Sequence, residues 1–164
     1  MRRILPSLIL LVLSFAAQAA SFTDFAENKI ADAVMRGQSL GVPATWYVAL
    51  YTTCPTDSTA GTEVSGGSYA RVAVTASLAN WAGTQSAGST TASSGTGGTT
   101  SNNAAITFPA PTASWGVVTC VGVTDASTSG NIWIYTPLAV SKTINNGDAA
   151  PSFAAAALTV QVDN

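Results

Sequence analysis

The side chains equipped for chemistry are few, and the most informative of them is missing: the 164-residue chain contains no histidine. A serine or cysteine nucleophile activated by histidine is therefore excluded, as are histidine metal sites. Acid–base work would fall to carboxylates. Asp57 and Glu63 stand in one Gly-containing loop, the spacing from which a glycoside-cleaving pair could be built, although acids in such loops are ordinarily just solvated. Asp125 and Asp148 lie in turn-forming stretches, where aspartate usually bonds nearby backbone. No Asp-rich loop has the oxygen density calcium requires. Gly95-Thr96-Gly97-Gly98 lacks the Gly-Lys-Ser/Thr continuation of a phosphate loop. The expectation is a chain with no catalytic, cofactor-binding or metal residues, hence not an enzyme and without a cofactor.

Three kinds of residue remain as candidates for other work. Cys54 and Cys120 are the only cysteines. An oxidising compartment would permit a disulfide between them, and the alternative is two small buried side chains. Arg71 sits among apolar residues of an expected strand, where it either points to solvent or forms a salt bridge to another subunit. Among the aromatics, Trp46, Trp133 and Tyr135 fall within apolar strands and read as core. Trp81 and Trp115 fall at strand margins, so they are the pair expected to be exposed for a subunit or glycan contact.

Elements that would position these residues follow from periodicity. Residues 1–19 open on Arg2-Arg3, run through an apolar stretch and end in Ala17-Gln18-Ala19, the three-part pattern of a cleavable signal peptide. The apolar run is shorter than the roughly 20 residues a spanning helix needs. The mature domain would be 20–164. Within it, residues 21–37 carry Phe22, Phe25, Ala26 and Ile30 at helical spacing, with Ser21 or Thr23 to cap the start and Gly37 to end it. The apolar positions Phe25 and Ile30 are expected to be buried.

Thereafter the pattern is β. Strands are expected at Thr45–Thr52, Tyr69–Thr75, Asn103–Phe108, Val117–Thr124, Asn131–Tyr135, Leu138–Ile144 and Ala155–Val162, with a turn at Pro137 and a strong turn at Asn146-Gly147-Asp148. Residues 84–100 are nearly all Gly, Ser, Thr and Ala and are expected to form a mobile loop or a Thr-rich edge hairpin at the tip of the domain, where a partner would be contacted. The fold class is mainly β: a single antiparallel β-sandwich of about 7–8 strands with one N-terminal amphipathic helix.

Charged residues make up 9% of the chain, far below the roughly 25% of ordinary soluble domains. A neutral, hydroxyl-rich surface suits a protein packed in an assembly or exposed outside the cell. Without the leader, Lys29, Arg36, Arg71 and Lys142 face eight acids, which excludes the basic footprint of a nucleic-acid binder.

Several segments in this order and spacing carry a resemblance. They are Ser21-Phe22-Thr23-Asp24-Phe25, Pro43-Ala44-Thr45-Trp46-Tyr47, Gly61-Thr62-Glu63-Val64 with Tyr69-Ala70-Arg71, and Asn80-Trp81-Ala82-Gly83. Further along come Ile106-Thr107-Phe108, Trp115-Gly116, Gly122-Val123-Thr124-Asp125, Gly130-Asn131 and Asn146-Gly147-Asp148 with Phe153. The chain resembles the small structural proteins of tailed bacteriophages and prophages described as tail-fibre or minor-tail proteins. The resemblance implies a non-enzymatic virion component, tail fibre, minor tail or capsid decoration. Its partners would be identical or neighbouring subunits, with a cell-surface glycan as a further candidate, and it would be located on the virion. The leader supports an alternative: a secreted bacterial surface-filament subunit or adhesin built on a phage-type domain.

Overall fold

The computed structural model describes residues 20–162, so the expected leader at 1–19 lies outside the described residues. The chain begins with a two-residue strand, β1 (Ser21–Phe22), followed by the helix α1 (Asp24–Arg36). The helix starts later than its apolar spacing predicts because Ser21 and Phe22 pair with Tyr135 and Ile134 of a neighbouring strand. Thr23 is then the N-cap. Asp24 and Glu27 lie in the positive first turn, and Gly37 closes the helix in the left-handed region at φ 66°.

Thr23 does two jobs at once. Its hydroxyl accepts from the Ala26 N–H at 3.4 Å and donates to the Ile132 carbonyl at 2.5 Å, tying the helix start to the sheet. Replacing Thr23 with Val keeps the shape and removes both bonds from a buried position. The expected cost is about 1–2 kcal/mol, read from the denaturation midpoint. The helix itself is less buried than its pattern predicts. Ala26 alone is fully buried, while Phe25 and Ile30 are half-buried, because only one edge of the helix rests on the sheet.

The remaining strands are β2 (Thr45–Thr53), β3 (Thr62–Glu63), β4 (Val72–Thr75), β5 (Thr99–Ser101), β6 (Ile106–Thr107), β7 (Gly116–Thr124), β8 (Ile132–Ile144), β9 (Ser152–Phe153) and β10 (Thr159–Gln161). One antiparallel sheet runs β1-β8-β7-β2-β3, with β4 sharing the outer edge of β2. Two short ribbons, β10-β5 and β6-β9, form the rest of the β structure. The core lies between these layers. Val48, Leu50, Val118 and Val121 from the sheet meet Ile106, Phe108, Phe153 and Leu158 from the ribbons and their flanks. On the other face of the sheet, Ala49, Tyr51 and Cys120 form a smaller cluster. The fold is mainly β and antiparallel, with one helix, as the periodicity predicts.

Three local differences from the expected strands have physical causes. The turn expected at Pro137 is absent: β8 passes straight through it. Pro137 stands opposite Cys120 at a shift in register, the place in a sheet where a residue without an N–H is tolerated. The stretch 84–98 is largely exposed and bonded to itself. Gln85 Nε2 reaches Ser89 Oγ at 2.7 Å and Thr91 Oγ1 at 2.5 Å, and Thr84 donates to the Ser94 carbonyl at 3.1 Å, so the loop is folded on itself before Thr99–Ser101 pairs with β10. Finally, Asn102, 1% exposed, donates to the carbonyls of Ala104 and Ala154 and accepts from the Leu158 N–H at 2.9 Å, so a polar side chain organises the second layer.

Candidate functional site

Arg71 is the centre of the most connected polar cluster in the described residues. It lies just before β4, and its side chain is only 9% exposed. Nε and Nη2 grip both oxygens of Glu63 at 2.8 and 2.7 Å. Nη1 donates to Thr124 Oγ1 at 3.0 Å and to the carbonyls of Ala126 and Ser129 at 2.7 and 2.8 Å. The guanidinium thus joins β3, the end of β7 and the turn leading to β8. Arg71 does not project into solvent; these five bonds engage it within its own chain. The fork geometry of arginine matches this role.

Tyr69 completes the cluster. Its phenol donates to Glu63 Oε1 at 3.0 Å and accepts the Leu50 N–H at 2.9 Å. Leu50 falls between the segments of β2 that pair with β3 and β4, so the phenol fills a gap in the ladder. Tyr51 lies nearby with its hydroxyl buried and without a hydrogen-bond partner among the described residues. Its ring packs on Gly122, where an added Cβ would lie 2.9 Å from the ring edge.

Burial, reinforced by the Glu63 charge and opposed by Arg71, pushes the Tyr51 phenol up to about 12. Burial also holds the Tyr69 phenol well above the ordinary tyrosine range. An unfolded phenol titrates near 10. The stability contributed by these tyrosines is therefore fully present below pH ~10 and is lost as pH rises through the folded value of Tyr51, about 12. Alkaline titration followed by phenolate absorbance and circular dichroism should show late ionisation of these groups coupled to unfolding, and an ordinary titration of every tyrosine in the folded state would contradict it.

The two tryptophans expected to be exposed have different fates. Trp115 is 4% exposed, stands edge-on to Tyr69 at 5.3 Å and donates its indole N–H to the Gly67 carbonyl at 2.9 Å. It is a core residue, not a surface contact, because the chain at Gly67 folds directly over it. Trp81 is half-buried and lines a groove. Trp46, expected in the core, is also half-buried and lines the same groove, with its ring edge against Trp133.

The acids are engaged separately. Asp57 accepts from the Tyr135 hydroxyl at 3.0 Å, whereas Glu63 is committed to Arg71 and Tyr69. Asp125 accepts from the Asn131 N–H, the Asn131 amide and the Trp133 indole at 2.7, 2.9 and 3.2 Å. Partial burial would raise its pKa, but these bonds outweigh it and hold the carboxyl below the usual range. Asp148 accepts the Asn145 N–H at 2.7 Å and so closes its turn.

A family model described as podophage GP4 fiber I protein gp80 matches residues 21–161. The chain belongs to this family. None of the curated proteins matches it. The match to the gp80 family opens on the first residue of β1 and closes on the last residue of β10, so it spans every helix and strand of the described residues. The protein is a structural, phage-fibre-like chain of mainly β architecture. Within this gp80-family fold, Cys54 and Cys120 face each other with Cα atoms 5.2 Å apart, inside the roughly 4.4–6.8 Å range of disulfides. Cys54 follows β2 directly and Cys120 lies in the adjacent β7. That proximity is created by strand pairing, since Tyr51 stands opposite Cys120.

Proposed function

We propose that this gp80-family chain is a non-enzymatic structural subunit of a phage fibre, located on the virion and acting through contacts with identical or neighbouring subunits. The observation that carries this reading is the family match from β1 to β10, which spans every strand of the described residues. It is supported by the fate of the polar side chains: Arg71, Glu63, Asp125 and Asp148 all serve internal bonds that brace loops and strands. A capsid decoration subunit is a variant of the same reading. Mass spectrometry of purified particles, with immunogold labelling to locate the chain, tests both. Peptides in stoichiometric amounts with other virion proteins and label on the tail are expected. Label on the head favours decoration, and absence from particles overturns the proposal.

A second reading is favoured by one observation. Cys54 and Cys120 lie at bridging distance, and a disulfide forms durably in an oxidising compartment. An exported surface-filament subunit or adhesin would meet that condition. A mature chain starting at Ala20 or Ser21 in a particle-free extracellular fraction would support export, and a cytoplasmic chain with both thiols free would eliminate it.

A further inference from the structure

We propose that the groove between Trp46 and Trp81 binds a neutral carbohydrate, one to a few pyranose rings long. The groove has an inner recess of about 160 Å³ floored by Trp46, Val123, Ile134 and Val160. Trp46, Trp81 and Thr100 line this recess and also a wider hollow of about 560 Å³, so the two adjoin. Volumes of this order match small-molecule sites.

Its chemistry is divided in the way a sugar is. A pyranose presents an apolar C–H face, which packs on aromatic and aliphatic surface, and a girdle of hydroxyls, which lose binding energy unless each finds a partner. The floor is apolar, and the rim carries the hydroxyls of Thr84, Ser93 and Thr100. Ser93 Oγ accepts the Thr84 N–H at 3.2 Å and keeps its own hydrogen free for a ligand. Thr100 donates to the Ala82 carbonyl at 2.7 Å and keeps a lone pair to accept. Self-bonding of the 84–98 loop holds this rim in place, which lowers the ordering cost of binding.

Charge selects among occupants. Among the described residues, no Asp, Glu, Lys or Arg lines either part of the groove. An acidic polysaccharide, a nucleic acid or a charged peptide would be desolvated there without a counter-charge, at a large cost. An uncharged sugar meets no such penalty. Leu78 and Val162, both more than half exposed at the mouth, extend the apolar surface over which further sugar units would lie. The inference does not depend on which particle or filament carries the chain.

The test is a titration of the protein, as isolated from its source, with neutral hexose and N-acetylhexosamine oligosaccharides and with uronic acid-containing counterparts, followed by tryptophan fluorescence. A saturable change with at least one neutral oligosaccharide is expected, weakened at least about tenfold by Trp81→Ala through loss of the stacking surface. Because Trp81 also packs against the core, Ser93→Ala, at an exposed site, is the companion variant. It removes one exposed bond from the Thr84 N–H, so it should shift thermal unfolding little while weakening binding several-fold. No response to any neutral oligosaccharide, response only to acidic ones, or equal binding by wild type and both variants overturns the proposal. So does a spectral change that follows protein concentration alone, which would mean that a second copy covers the groove.

Discussion

Replacing Cys54 and Cys120 together with alanine should lower the unfolding free energy by about 4 kcal/mol and shift the denaturation midpoint accordingly. The residues are 66 positions apart, and a crosslink across a loop of that length removes about 4 kcal/mol worth of unfolded-chain entropy in the loop-closure treatment. Paired strands already hold the two Cα atoms at 5.2 Å, within the range a disulfide spans. Alanine is the appropriate replacement because Cys120 is fully buried and a hydroxyl there would lack a partner. The check is equilibrium denaturation of oxidised, reduced and doubly substituted protein. Coincident curves for the oxidised and reduced forms would mean that the cysteines are not bridged as purified, and would count against the exported reading of the chain.

Arg71→Ala should be of comparable size, about 3 kcal/mol. Breaking a largely buried ion pair usually costs about 3–5 kcal/mol because the surviving charge stays desolvated, and Glu63, 27% exposed, retains some contact with water. The loss extends beyond the pair: the carbonyls of Ala126 and Ser129 also lose a charged donor, so the turn between β7 and β8 should loosen. Arg71→Lys should recover less than half of the loss. An ammonium cannot reproduce the two-point grip on Glu63 together with three bonds to the opposite side. A double-mutant cycle with Glu63→Gln isolates the pair. If Arg71→Ala and Arg71→Lys both leave the midpoint within about 0.5 kcal/mol of wild type, the cluster is not a brace. Hydrogen exchange at 126–131 provides the local readout.

Much of the architecture was legible in the sequence because it depends on neighbours along the chain. The aromatic and apolar run of Thr45–Thr52 and the strand composition of Val117–Thr124 announced strands, and these are β2 and β7, central in the sheet. Thr23, Asp24, Glu27, Arg36 and Gly37 marked the helix ends through local capping rules, and the helix runs Asp24–Arg36 between them. Where two distant segments decide, local pattern misled. Pro137 reads as a turn, yet it sits at a bulge in β8 because β7 supplies a register shift there. Thr62–Glu63 and Ser152–Phe153 are too short to show a period, and they are strands only because β2 and β6 pair with them.

The same division runs through the side chains. The absence of histidine, the sparse charge and the segments resembling phage structural proteins are properties of the chain itself, and they alone pointed to a structural role. Composition cannot tell a satisfied arginine from a free one. Arg71 became a brace because Glu63 and the 126–129 turn come within reach of it, 8 and more than 50 residues away in sequence. Trp115 and Trp81 stand in similar local contexts, but the chain at Gly67 covers one, while the other is left beside Trp46 to wall a groove. Burial and pairing are non-local sums over contacts, so they belong to the tertiary structure. Residue type and periodicity are local, and for this protein they determined the class of fold and the absence of histidine chemistry.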